Sequence, residues 1–155
     1  MLKEGDPAPR FDLPDAEMNM VSLDSFLGRN HVVLYFYIKD DTPGCTIEAI
    51  DFSDLEDSFK RHHAIVLGVS MDDCLAHGAF RDKHGIAVEL LSDPDGDVCR
   101  QYGVLVEKEF EGGRRRCVQR STFVIDRRGH VVRAMYGVSP RGHAHEVLNV
   151  LKGMQ

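Results

Sequence analysis

Four cysteines (Cys45, Cys74, Cys99 and Cys117) are present, yet no two of them form a Cys-x-x-Cys pair. That absence disfavours thiol–disulfide exchange through the common dithiol motif, and the unpaired spacing does not describe a disulfide scaffold. Thiols used this way suit a reducing compartment, so a cytoplasmic location is expected. No apolar run approaches the roughly 20 residues of a membrane span. The opening stretch Met1-Leu2-Lys3-Glu4-Gly5-Asp6-Pro7 lacks the hydrophobic core of a signal peptide. A net charge of −6 argues against nucleic acid or an anionic membrane as partner. The glycines mark single turns and build no phosphate-cradling loop. Among the histidines, His62-His63 and His143-Ala144-His145 lack the spacing of a zinc or haem site with cysteine partners. Neither a metal nor a bound cofactor is therefore expected. Repeats, linkers and low-complexity tracts are missing too. At 155 residues, 43% of them hydrophobic, the chain can bury one core, and residues 1–155 read as a single domain.

What the sequence does have is one distinctive loop, Tyr35-Phe36-Tyr37-Ile38-Lys39-Asp40-Asp41-Thr42-Pro43-Gly44-Cys45-Thr46-Ile47-Glu48. The apolar run from His31 to Ile38 predicts a buried strand, which polar turn residues end abruptly. Pro43 then opens a helix predicted to reach about Lys60, with Phe52, Leu55 and Phe59 at helical spacing. Cys45 falls in the first turn of that helix, at the carboxyl edge where open α/β sheets hold their chemistry. Unpaired N–H groups and the helix dipole stabilise an anion there. A cysteine so placed can fall from a pKa of about 8.5 to between about 3.5 and 7.5. Thr42 can turn its hydroxyl toward the sulfur or toward whatever the sulfur attacks. The alternative for Cys45 is a small buried hydrophobe, the usual fate of a free cysteine. Asp40 and Asp41 are expected to shape the turn and place charge near the helix start, not to act as an acid–base pair.

The run Tyr35-Phe36-Tyr37-x-Lys39-Asp40-Asp41-Thr42-Pro43-Gly44-Cys45-Thr46-x-Glu48 closely resembles the peroxidatic loop of peroxiredoxins, and in particular their peroxiredoxin Q or bacterioferritin comigratory protein branch. The beginning, Gly5-Asp6-x-Ala8-Pro9-x-Phe11-x-Leu13-Pro14, resembles that branch as well. The resemblance implies a thiol-dependent peroxidase. In such an enzyme the Cys45 thiolate would reduce hydrogen peroxide or an organic hydroperoxide and become a sulfenic acid. Thioredoxin, glutaredoxin or a small thiol would then restore it. Pro43 and Gly44 would line the peroxide pocket, and the protein would be a monomer or weak homodimer.

The rest of the chain fits an α/β design. Short strands are predicted at Phe11–Leu13 and near Val21–Leu23, then a helical turn to Leu27 closed by Gly28. The continuous apolar run Ala64–Ser70 reads as a parallel strand covered on both faces, followed by a helix from about Asp73 to His84. Val88–Leu91 predicts a strand, and Asp93–Gly96 a turn into a helix ending near Tyr102. Glu107–Arg116 reads as a hairpin-like excursion centred on Gly112-Gly113. Val118–Ile125 and His130–Tyr136 predict antiparallel strands about the turn Asp126–Gly129. A last helix is expected from about Pro140 to Leu151, with Ser139 as its N-cap. This order describes a thioredoxin-like α/β sandwich, a central mixed sheet flanked by helices.

Arg120, in Gln119-Arg120-Ser121-Thr122, matches the arginine that the resemblance brings to the peroxidatic sulfur. Attack on one peroxide oxygen builds negative charge on the other, and a permanently charged guanidinium fork can steady both ends. Two departures stand out. Ile38 occupies the position, seven residues before Cys45, where the family carries a proline; it is expected to keep the apolar shield but not the fixed backbone angle. The two customary resolving positions hold Ile50 and Arg81. Either an outside thiol reduces Cys45, or Cys74, Cys99 or Cys117 resolves it. Cys74 leads these three, because it opens the helix after the Ala64–Ser70 strand at the same edge. Cys99 is expected to be packed inside a helix. Cys117, at an odd offset from Arg120 on an ideal strand, would face away from it. A redox switch that reacts once and does not turn over remains the alternative function.

Overall fold

Strand β3 (His31–Phe36) is buried at every residue and forms the centre of the computed structural model, which describes residues 1–154. Its parallel neighbour is β4 (Ala64–Ser70), with β5 (Glu89–Ser92) beyond it, also parallel. On the other side β8 (Ser121–Ile125) and β9 (Val131–Tyr136) run antiparallel, giving the order β5-β4-β3-β8-β9. Two small antiparallel pairs accompany this mixed sheet: β1 (Asp12–Pro14) with β2 (Met20–Ser22), and β6 (Leu105–Phe110) with β7 (Gly113–Val118).

Alternation along β3 divides the core in two. Val32, Leu34 and Phe36 face one layer, built with Phe11, Leu13 and Tyr102. Val33 and Tyr35, with Tyr37 just past the strand, face the other. That second layer is covered by α1 (Pro43–Asp54), α2 (Glu56–Arg61), α3 (Cys74–His84) and α5 (His143–Lys152). The short helix α4 (Asp97–Gln101) packs Val98 and Cys99 into the first layer. The Tyr35 ring stacks on Phe52 at 4.6 Å and lies over Gly68, where a Cβ would stand 2.7 Å from its Cζ. Only glycine at that point of β4 leaves room for the ring.

Several predicted boundaries shift for physical reasons. The strand predicted to Ile38 ends at Phe36, though the Tyr37 N–H still donates to Val69 O at 3.0 Å. Ile38 itself is 46% exposed, so it does not supply the apolar shield expected of it. The helix predicted from Pro43 to Lys60 breaks at Leu55 (φ −97°, ψ 4°) into α1 and α2. Asp51, Asp54 and Asp57 crowd like charge along one helical face there, and the break lets Phe59 lie 5.9 Å from Phe52. The strand predicted over Val118–Ile125 is two strands, with Gln119 and Arg120 in the gap between β7 and β8. The odd-offset reading of Cys117 against Arg120 therefore does not apply, since no single strand joins them. The last helix starts at His143 on an N-cap Gly142 with φ 75°, not on Ser139. A residue so far into the left-handed region cannot continue a helix backward, and glycine holds it at least cost.

Candidate active site

Three segments converge at the carboxyl edge of the sheet. The turn after β3 delivers the start of α1, the β7–β8 gap delivers Arg120, and the turn before α5 delivers Pro140. Pro43 takes the first helical position, where its missing N–H costs nothing. Thr42 is the N-cap residue, yet its side chain makes no capping bond; its hydroxyl donates to Lys39 O at 2.8 Å. The hydroxyl proton is thus turned away from the sulfur, and its oxygen lone pairs are what it offers a ligand. The uncapped first turn leaves the Gly44 and Cys45 N–H groups without a side-chain acceptor.

Cys45 is 1% exposed. Arg120 Nη2 donates to its Sγ at 3.4 Å, while Arg120 Nη1 donates to Glu48 Oε1 at 2.8 Å. Glu48 lies three residues after Cys45 on the same helix face and has no exposed surface. Burial pushes its carboxyl up to about 7, against the pull of the adjacent guanidinium. Burial likewise disfavours the charge on Arg120, but Glu48 and Cys45 outweigh it and hold the guanidinium charged. Glu48 Oε2 has no hydrogen-bond partner, so the carboxylate is committed to Arg120 alone. Gly44 makes the approach possible: a Cβ there would sit 3.1 Å from Arg120 Nη2 and 3.4 Å from Pro140 Cγ.

The expected residues Cys45, Gly44 and Arg120 thus meet, with Thr42 one turn before and Pro43 exposed at the rim. Cys74 does begin α3, partly exposed at the same sheet edge, and all four thiols are free. Burial pushes the Cys99 thiol far up, with Asp93 adding to the effect, so that sulfur is a packing group. Cys117 sits on β7 opposite Val106, in the ribbon. Glu48 and Pro140 went unassigned in the sequence. Spacing from Cys45 could have found Glu48; nothing in the sequence pointed to Pro140.

A second polar group adjoins the loop. Asp40, Asp72 and His77 bring ligand-type atoms within 4.8 Å of one another. These atoms are bonded internally: Asp40 to Tyr37 and His77, Asp72 to Ser70, His77 to Leu91 O. The histidine pairs considered for metal in the sequence take no part in it.

Fold and site together define the class, thioredoxin-fold proteins with a buried cysteine at a helix start beside an arginine. The model of the AhpC/TSA family matches residues 4–134. Peroxiredoxin Bcp of Escherichia coli is 40% identical over 97% of this chain and 96% of its own. Peroxiredoxin Bcp of Bacillus subtilis is 37% identical over 99% of this chain and 97% of its own. Among solved structures, a Xylella fastidiosa peroxiredoxin Q superposes with a TM-score of 0.92 at 35% identity, covering 98% of this chain and 96% of its own. A Xanthomonas campestris bacterioferritin comigratory protein, studied for alkyl peroxide reduction, gives 0.87 at 39% identity over 92% and 90%. The chain belongs to the AhpC/TSA family, within its Bcp or peroxiredoxin Q branch, and is a thiol peroxidase. No described helix is long and apolar enough to cross a membrane.

Proposed function

We propose that Cys45 is the peroxidatic nucleophile and that Arg120 and Thr42 orient the peroxide against it. The Cys45 sulfur forms a bond to one peroxide oxygen as the O–O bond breaks. The departing oxygen takes a proton and leaves as water or an alcohol, and the sulfur remains as a sulfenic acid. Arg120 and the Gly44 and Cys45 N–H groups stabilise the charge that moves onto the departing oxygen. Pro43 and Gly44 form the rim through which peroxide enters. A thiol then condenses with the sulfenic acid, releasing water, and a second thiol restores Cys45 as a disulfide departs. The observation that carries this reading is the guanidinium 3.4 Å from a buried sulfur on an uncapped helix start.

The cycle we favour uses one cysteine, with thioredoxin, glutaredoxin or a small thiol as reductant. Cys74 is the second option, supported by its place at the start of α3. Organic hydroperoxides join hydrogen peroxide as substrates, in line with the alkyl peroxide activity studied in the Xanthomonas relative. The protein acts as one domain (1–155), as a monomer or weak homodimer. A cytoplasmic location accords with its four free thiols. The test is peroxide turnover with a recycling thiol. Many equivalents consumed by wild type and none by Cys45→Ser support the reading. A single equivalent per molecule would make the protein a redox switch, and unchanged turnover in Cys45→Ser would refute the assignment.

A further inference from the structure

The segment that carries Cys45 into place is fastened to α3 by side chains that the peroxidase chemistry does not use. His77 is fully buried on α3. Its Nε2 lies 2.9 Å from Leu91 O, an oxygen that can only accept, so Nε2 carries a proton. Its Nδ1 lies 2.7 Å from Asp40 Oδ2, while Asp40 Oδ1 accepts from Tyr37 Oη at 2.6 Å. A bare ring nitrogen and a carboxylate oxygen repel at that distance, so a proton lies between them as well. His77 and Asp40 therefore share a short hydrogen bond in a dry site, where such a bond is strong and its loss costly.

Other ties lead to the same few residues. The Asp40 N–H donates to Asp72 Oδ2 at 2.9 Å, and Ser70 Oγ donates to the same oxygen at 2.7 Å. Asp41 stands at φ 61°, a backbone conformation that costs a non-glycine residue energy. Its carboxylate takes Lys83 Nζ at 2.7 Å and His84 Nε2 at 2.8 Å, both from α3. The two Asp41 ties are solvent-exposed and weak. The His77–Asp40 pair is the buried one.

We infer that His77 is a positioning residue: with Asp40 it latches the segment before Thr42 onto α3, holding Cys45 closed against Arg120, and release of this latch admits the reducing thiol. The need for release follows from burial. A peroxide is small enough to enter the rim, but a protein thiol cannot reach a sulfur that is 1% exposed. The residues between Asp40 and Cys45 are the ones that must move aside, and Asp40 is where they are anchored. The latch thus favours the peroxide step and opposes the reductant step. The inference rests on Cys45 being the peroxidatic residue.

The test compares wild type, His77→Leu, Asp40→Ala and Asp40→Asn in two assays. The first follows labelling of reduced Cys45 by a bulky maleimide, read by peptide mapping, and needs no peroxide. The second times the peroxide step and the thiol-reduction step separately. Loss of the pair in His77→Leu or Asp40→Ala is expected to raise Cys45 labelling by about tenfold or more. It should slow the peroxide step while quickening reduction. Asp40→Asn keeps a hydrogen bond to a neutral His77 through its amide N–H, and is expected to stay close to wild type. Should His77→Leu prove poorly folded, Asp40→Ala against Asp40→Asn decides alone. Equal labelling in all four proteins, or both steps slowed together, would overturn the latch. Labelling that rises as expected in a wild-type background that never oxidises Cys45 would instead overturn the peroxidatic assignment and leave the latch standing.

Discussion

Cys45 and Cys74 occupy matching places: each lies in the first turn of a helix that follows one of two adjacent parallel strands, β3 and β4. Their surroundings differ at every other point. At α1 the N-cap side chain leaves the helix end uncapped, the sulfur is buried, and a guanidinium stands 3.4 Å away. At α3 the Asp73 carboxylate accepts from the Ala76 N–H at 2.8 Å, the sulfur is partly exposed, and no guanidinium hydrogen-bonds to it among the described residues. A helix start alone therefore does not make a peroxide site. On the proposed reading free donors and a fixed positive charge do, and at α3 the Asp73 carboxylate already takes up the Ala76 N–H.

Swapping out each feature in turn sharpens this contrast. Cys45→Ser should abolish peroxide consumption, whereas Cys74→Ser should leave the initial reaction with peroxide unchanged; a rapid-mixing peroxide assay on both reads the difference. Arg120→Lys keeps the charge but not the fork that reaches sulfur and Glu48 together, and a loss of about 10²-fold or more in the same rate is expected. Gly44→Ala places a Cβ 3.1 Å from Arg120 Nη2. A shift of a few tenths of an ångström in the guanidinium should slow the peroxide step by roughly threefold to tenfold, with little change in the urea midpoint.

Two stability measurements complete the series. The Glu48 carboxyl, raised by burial to about 7, binds its proton more tightly folded than unfolded. Its contribution to stability is complete below about pH 4.5 and is lost as pH rises through about 7, on the order of 3 kcal/mol in all. Urea melts of wild type and Glu48→Gln at about pH 5 and about pH 8 should show this fall in wild type alone. Asp73→Ala removes the cap that distinguishes α3 and should cost about 1 kcal/mol without touching the peroxide step.

Much of this was legible in the chain itself. The alternation of β-type and helical runs gave the mixed sheet, and the Thr42-Pro43-Gly44-Cys45 spacing put the thiol in the first turn of α1. Arg120 was found by resemblance, but its freedom to reach the sulfur comes from the break between β7 and β8, where the sequence predicts a single strand from Val118 to Ile125. Ile38 was expected to shield and instead faces solvent, because β3 ends earlier than its hydrophobic run. Glu48 was hidden by its charge: an acidic residue on a helix reads as solvent-facing, and only tertiary burial turns it into the anchor of Arg120. Pro140 reaches the site through a left-handed turn at Gly142 that no local periodicity announces.

The most direct measurement is intact mass after one equivalent of peroxide, with a sulfenic-acid trap present, on wild type and on Cys45→Ser. The account predicts a trapped adduct on wild type alone, mapping to Cys45. Loss of two hydrogens with no adduct would mean an internal disulfide and contradict the one-cysteine cycle, and the same adduct on Cys45→Ser would contradict the site itself.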